Sequence, residues 1–435
     1  MFLESITLQN YRCFEELNIE FHDRLTVIVG SNGAGKTTIL EGAATAAGSL
    51  YIAFDNIPGM SITKMDAHLK SFSMGSIEDV QPQYPVEIHA KGTIEGETIT
   101  WKRKLNSASG ITTTRDARQI TAIGDAYQKR LRSGDISLKL PLIVYYGTGR
   151  LWDNHREKKN DAFAVSTRTN GYIDSLDGVA NLKLMMNWFK KMTILKYQRQ
   201  EEDGGTIPEL DVVYQAMENC YTAVTGYSKV KMQYNLNTNE IDVHYTSEGK
   251  RMRIALSQLS DGYKGIVSLI ADIAYRMAVL NPQLLKEVLK ETEGIVLIDE
   301  IDLHLHPAWQ QRVLGDLMQI FPKIQFVVST HAPAVLHSVK SENLVILKEC
   351  QVLGINSEIY GNDVKSILSE VMEVKDRPPK VAEMFERFYH LLQDKNYKEA
   401  EQILDEIDTL RDYHDQEVAG CRVKLKLERI RGGQL

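Results

Sequence analysis

Gly30-Ser-Asn-Gly-Ala-Gly-Lys-Thr-Thr38 fills the pattern G-x-x-x-x-G-K-[ST] without a mismatch. Its flanks suit it. Leu25-Thr-Val-Ile-Val29 is apolar and β-branched and reads as a buried strand, and Thr37 to Ala47 reads as a helix. Glycines at 30, 33 and 35 permit backbone angles and close approaches that a Cβ would forbid. The backbone of Asn32, Gly33, Ala34, Gly35, Lys36, Thr37 and Thr38 is then the candidate cradle for phosphate oxygens, with the helix N-terminus adding its positive dipole end. Lys36 is placed to neutralise β- and γ-phosphates, and the Thr37 hydroxyl to ligate Mg²⁺. A Gly-rich turn that merely precedes Lys and Thr would not need both the strand and the helix.

The chain has 435 residues, which predicts two or three structural units, and 43% hydrophobic residues, enough for a sizeable core. A net charge of −7 argues against a surface coated in basic residues but leaves room for a local basic groove. Cys13, Cys220, Cys350 and Cys421 are scattered, with no C-x-x-C spacing, so neither a zinc ribbon nor a redox motif is suggested and a reducing cytosol fits. Met1-Phe-Leu-Glu-Ser-Ile-Thr-Leu8 alternates like a strand and lacks the basic flank of a secretory signal. No apolar run approaches the roughly 20 residues that span a bilayer. A soluble cytoplasmic protein without membrane contact is expected.

Residues 1–29 read as two strands joined by Asn10-Tyr11-Arg12-Cys13-Phe14, the second feeding the phosphate loop. Arg12 in that joint can approach a nucleotide or remain a solvated cation. Residues 50–83 show no clear face and are expected to be irregular. Val86–Ala90, Gly92–Ile94 and Thr98–Leu105 alternate at period two and read as a β-meander punctuated by Gly92 and Gly96. The scattered cations of 107–135 read first as a solvated helix face. Leu140–Tyr146 is a buried strand ending in Gly147-Thr-Gly-Arg150, where an arginine can meet a nucleotide or a neighbouring subunit. Residues 153–228 are largely helical, and Leu182, Met185, Met186, Trp188 and Phe189 share one apolar face. Val230–Tyr234 and Glu240–Tyr245 form a hairpin, and Arg251–Ala255 adds a strand. Gln258-Leu-Ser-Asp-Gly-Tyr-Lys264 opens an apolar helix, where Ser260 and Gly262 suit an anion site.

Gly294-Ile-Val-Leu-Ile-Asp-Glu300 is the second strong signal. A buried strand ends in two carboxylates, where an open parallel sheet places its ligands. Asp299 suits Mg²⁺ and Glu300 suits general-base work on water. Asp302, His304 and His306 alternate beyond them, without a second ligand cluster that would make a transition-metal site. Ile324–Thr330 is the next strand, ending at His331, a candidate γ-phosphate sensor beside such a loop. Asn343–Leu347 is the last. From Asp363 the chain turns helical and charged, broken at Arg377-Pro-Pro379. Its apolar faces are Phe385, Phe388, Leu391 and Leu392; then Tyr397, Ala400, Ile403, Leu404 and Ile407; then a third segment from Leu410 through Val423, Leu425, Leu427 and Ile430.

Taken together, Ile6–Phe14, the Walker A loop at Gly30, the signature-like Leu259-Ser-Asp-Gly-Tyr263, the Walker B pair Asp299-Glu300 and His331 resemble, in order, the ABC-type ATPases of the RecF and SMC group. The tail from Tyr360 resembles that of Septu-type anti-phage ATPases. The resemblance implies an α/β fold: an ABC-type P-loop ATPase head, with a mixed β-sheet, flanking helices and an antiparallel β-meander, plus a helical insertion and a C-terminal helical appendage. The corresponding pieces are 1–150 with Walker A and the meander; 151–250, mainly helical and ending in a hairpin; 251–362 with signature, Walker B and switch histidine; and 363–435, a helical partner-docking region. It further implies ATP and Mg²⁺ as cofactors and a dimer that sandwiches two ATP molecules. Lys36, Thr37, Asp299, Glu300 and His331 would act on one side of each nucleotide, and Ser260 and Gly262 of the opposite copy would close it.

Three departures refine this. Asp261 stands where the wider family commonly has a second glycine. His306 stands where transporters carry the D-loop aspartate. The stretch between Walker A and signature is too short, and too poor in heptads, for long coiled-coil arms. No Toprim-like carboxylate cluster follows His331 and no HNH pattern is present, so any nuclease is expected on another chain, and the Septu resemblance implies that it is of HNH type. The open functions are an ATPase regulating that nuclease in phage defence, a nucleotide-sensing scaffold with little turnover, and a RecF-like repair ATPase that binds DNA. Salt-sensitive binding to duplex ends or gaps would favour the last.

Overall fold

The computed structural model describes residues 1–74, 77–149, 167–178, 181–202, 205–353, 379–409 and 416–431. Arg150, Tyr360, Leu410 and the break at Arg377-Pro378 lie outside them. The chain divides into two compact units, Met1–Asn362 and Asp363–Leu435, and the boundaries expected at 150 and 250 fall within the first.

The first unit opens with β1 (Phe2–Tyr11), β2 (Phe14–Glu20) and β3 (Leu25–Gly30). The single strand expected to feed the phosphate loop is therefore two strands in different sheets. The chain bends at Asp23-Arg24, bracketed by the His22 N–H donating to Thr26 Oγ1 at 2.9 Å, and only then enters the central sheet. After α1 (Lys36–Ala47) comes another correction. The segment expected to be irregular contains a hairpin, β4 (Leu69–Met74) with β5 (Ile77–Pro82). The meander is also simpler than its glycines suggest, with two strands, β6 (Val86–Ile94) and β7 (Glu97–Leu105). Gly92 does not interrupt β6. A Cβ there would lie 2.7 Å from the Phe2 carbonyl oxygen, so this glycine serves close packing of strands, and the turn falls at Glu95-Gly96, both at positive φ.

Helix α2 (Arg118–Arg132), β8 (Leu142–Tyr146), α3 (Leu182–Glu202) and α4 (Pro208–Thr225) follow. Met185, Trp188 and Phe189 are buried, as their spacing predicts, and Phe189 stacks on Tyr214 of α4. Next come β9 (Ser228–Asn235), β10 (Glu240–Ser247) and β11 (Lys250–Ala255), ordered β11-β10-β9, then α5 (Asp261–Leu280). The unit closes with β12 (Gly294–Ile298), β13 (Ile324–Thr330), β14 (Leu344–Lys348) and a short β15 (Gln351–Leu353).

Two sheets sandwich α1. The antiparallel one runs β2-β1-β6-β7. The central one runs β15-β14-β3-β13-β12-β8, parallel except for β15. Small residues let α1 sit deep: Ala43, Ala44, Ala46 and Ala47 have no exposed surface, and a Cβ on Gly42 would meet Leu8 at 2.9 Å. Trp101 of β7 donates its indole N–H to the Ala46 carbonyl at 2.9 Å, satisfying an acceptor at the helix end. Strands β3, β12 and β13 are buried along nearly their whole length, the pattern of a parallel sheet covered on both faces.

Among its described residues the second unit holds three helices, Pro379–Gln393, Tyr397–Thr409 and Gln416–Arg431. Phe388, Ala400, Leu404 and Ile407 are fully buried in it. The third helix turns a different face inward than expected. Val418, Cys421 and Leu425 are buried, whereas Val423, Leu427 and Ile430 are 58%, 53% and 59% exposed. Lys and Arg between the apolar residues made the inward stripe ambiguous, and packing chose the positions three and four apart.

Candidate functional site

Strand β13 lies between β3 and β12, so the phosphate loop and the Asp299-Glu300 pair start one strand apart, about 10 Å between strand axes. The loop bridges that gap. Thr37 Oγ1, in the first turn of α1, donates to Asp299 Oδ2 at 2.7 Å. Lys36 Nζ folds back on the loop and donates to the carbonyls of Gly30 at 2.9 Å and Ser31 at 3.0 Å. Burial lowers the Lys36 pKa from the ordinary lysine range, and Asp299, Glu300 and Asp302 oppose that shift. Gly35 caps α1 at φ 99° with no side-chain hydrogen bond, and no acidic residue occupies the first turn. The positive end of the helix is thus directed at whatever the loop holds.

Glu300 adopts φ 48°, which turns its side chain away from the strand direction. It lies 4.0 Å from His331 Nε2 at the end of β13. Sequence reading missed the groups that set these positions. Ser329 donates to Asp299 Oδ1 at 2.5 Å and accepts from the Glu300 N–H at 2.8 Å. Asp302, which the alternating pattern grouped with His304 and His306, instead accepts from Thr330 Oγ1 at 2.5 Å and from the His331 N–H at 3.3 Å. His306 accepts from the Ala308 N–H at 3.3 Å, as the cap of a short helical turn. The only sequence signal for Ser329 and Thr330 is two hydroxyls closing an apolar strand. Their meaning needs the neighbour relation of β13 and β12.

An AAA-domain family model matches residues 5–218, and a second AAA-domain model matches residues 148–337. Over 425 residues the chain is 26% identical to the Retron Vc95 probable ATPase of Vibrio cholerae serotype O1 biovar El Tor, covering 86% of this chain and 80% of that one. It is 26% identical over 403 residues to the Septu protein PtuA of Bacillus thuringiensis, covering 87% and 86%. It is also 22% identical over 366 residues to the DNA replication and repair protein RecF of Streptococcus suis (strain 05ZYH33), covering 74% and 92%. Over most of its length the chain is similar to ABC-type ATPases of the RecF/SMC-like group.

In this chain the remaining candidates lie apart from the phosphate loop's hydrogen bonds. Ser260 caps α5 at φ −60° without using its hydroxyl for the cap. Gly262 packs so closely that a Cβ would come 2.6 Å from the His304 carbonyl oxygen, tying the signature to the segment after Walker B. Arg12 sits in the β1–β2 turn at φ 51°. It is held by an ion pair to Glu41 of α1 and by Nε donating to Asp66 Oδ1 at 2.8 Å. Among the described residues no helix is long and apolar enough to cross a membrane.

Proposed function

We propose that this chain binds and hydrolyses ATP, closes head to head with a second copy around two nucleotides, and thereby controls a separate nuclease subunit, of HNH type, in cytoplasmic defence against phage. The observation that carries the reading is the meeting of Thr37 and Asp299 at 2.7 Å, with Glu300 and His331 4.0 Å apart beside them. The similarity to retron and Septu proteins supports the setting.

The backbone N–H groups from Asn32 to Thr38 receive the phosphates, and Lys36 leaves the Gly30 and Ser31 carbonyls to meet the β- and γ-oxygens. The Thr37 hydroxyl and Asp299 carboxylate are hard oxygen donors already in contact, a donor set that fits Mg²⁺. When bound, Mg²⁺ supplies charge neutralisation across the β- and γ-phosphates. Glu300 accepts a proton from the attacking water, and His331 contacts the γ-phosphate and registers its loss. Ser260 and Gly262 of the opposite copy complete the site. Arg12 lies at its edge, oriented by Glu41 and Asp66. Residues 363–435 dock the partner, which supplies the nuclease site.

Glu300→Gln tests the reading. The variant should bind ATP, hydrolyse it at least a hundredfold more slowly, and elute as a dimer in ATP and Mg²⁺ where the wild type reverts to monomer. Turnover at the wild-type rate would remove Glu300 from the role of base. Deleting residues 377–435 should leave ATP binding intact and abolish co-purification with the nuclease.

A further inference from the structure

The last helix of the second unit, Gln416–Arg431, carries two apolar stripes. Val418, Cys421 and Leu425 face the core of that unit. Gly420, Val423, Leu427 and Ile430 form the other stripe, at intervals of three, four and three residues, and all four are exposed, with Ala419 beside them. That alternation is the spacing with which one helix meets a second along a shared seam. The inward stripe uses it against the other two helices of the unit. The outward stripe turns the same device to solvent.

Gly420 is the informative position. Glycine inside a helix lowers its stability relative to alanine. Packing within the chain does not require it here, because a Cβ would meet nothing within 4 Å. With Ala419 it leaves a low stretch at the start of the stripe. The backbone of another helix can come close there, since the side chains at the contact set the distance between packed helices.

Charge selects the occupant. Lys424 and Lys426 flank the stripe and are exposed. Lys424 Nζ lies 5.0 Å from the centre of the Tyr389 ring, and among the described residues neither lysine pairs with a carboxylate. Arg422 and Arg429 differ. Arg422 is engaged by Asp405 at 2.7 Å and Asp408 at 2.6 Å, and Arg429 by Glu401 at 2.6 Å. The rim of the stripe is therefore positive. Two copies of this helix laid together would set lysines against lysines. A bilayer would gain little from three aliphatic side chains with no aromatic among them. A helix whose apolar seam is flanked by Asp or Glu matches both the spacing and the charge.

We propose that the face of Gly420, Val423, Leu427 and Ile430 seats an acidic amphipathic helix of the partner subunit, with Lys424 and Lys426 closing on its carboxylates. This rests on the reading of residues 363–435 as the docking region and names the contact that region makes.

The test co-expresses the full-length chain with the nuclease subunit, then measures dissociation of the purified complex and thermal unfolding of the chain alone. Gly420→Leu should weaken the complex at least tenfold while Tm does not fall, a combination that a glycine needed only for folding would not give. Lys424→Glu combined with Lys426→Glu should weaken it at least tenfold at low salt and by less at high salt. Leu427→p-benzoylphenylalanine should cross-link, under ultraviolet light, to a segment of the nuclease subunit in which Asp or Glu flanks apolar residues three and four apart. The proposal is overturned by either variant binding within twofold of the wild type, by cross-links to a second copy of this chain or to phospholipid, or by an intact complex that gives no cross-link. A complex that survives deletion of residues 377–435 would instead overturn the reading of the docking region. Loss on deletion, with the Gly420 and lysine variants bound as tightly as the wild type, would leave that reading standing and remove this face from it.

Discussion

Gly33 and Gly35 both adopt left-handed backbone, φ 82° and 99°, yet their surroundings differ. A Cβ on Gly33 would meet nothing within 4 Å. A Cβ on Gly35 would run into the edge of the Phe14 ring and lie 2.8 Å from Cys13 Sγ. Gly33→Ala therefore carries only the backbone penalty, about 1–2 kcal/mol. Gly35→Ala adds overpacking against a ring that is itself buried, about 1–3 kcal/mol more. The total is about 2–5 kcal/mol, and the loop relieves it by moving its amides off the phosphate position. Expressed as affinity, Gly33→Ala should lose roughly 5- to 30-fold and Gly35→Ala roughly 30-fold to several thousandfold. Titration of a fluorescent ATP analogue with Mg²⁺ measures both, and thermal unfolding of the same samples shows whether the chain stays folded. The order is the sharp result. Gly35→Ala binding within threefold of wild type, or better than Gly33→Ala, would refute this account of the loop.

Other expectations follow from single contacts. Ser329→Ala removes hydrogen bonds to the Asp299 carboxylate and from the Glu300 N–H, and should lower kcat about 10- to 100-fold with little change in KM; phosphate release within twofold of wild type would contradict it. Burial raises the Glu87 pKa, but hydrogen bonds from Lys102, Lys104 and His89 outweigh it and hold the carboxyl at about 2. A carboxylate held low stabilises the fold above its unfolded value of 4.5, and that contribution fades as pH falls toward 2. Glu87→Gln should therefore show a smaller drop in Tm between pH 6 and pH 4 than wild type, and equal drops would count against the cluster. In the second unit, Leu404→Ala empties a fully buried site and should cost about 2–5 kcal/mol, seen as early proteolysis of residues 379–431. Val423→Ala, at an exposed position, should change stability by no more than about 0.5 kcal/mol.

The phosphate loop, its strand and helix, the strand ending in Asp299-Glu300 and the strand ending at His331 are readable from residue order. Each is a local pattern: a run of β-branched residues, glycines at fixed offsets, charge at a strand end. Local patterning fails where two continuations are equally apolar. Residues 14–30 look like one strand, and only the His22–Thr26 turn sends β2 and β3 into different sheets. The last helix offers two apolar stripes, and the one that faces Phe388 and Leu404 is selected by what it packs against. The site follows the same division. Its residue types belong to the sequence, because phosphate, Mg²⁺ and water each demand particular atoms. That Thr37 touches Asp299, and that Ser329 and Asp302 bond to Asp299, Glu300 and His331, are products of strand order. Those partners lie up to 262 residues apart in the numbering, Thr37 to Asp299, and hydrogen bonds act only between groups that the sheet has already made neighbours.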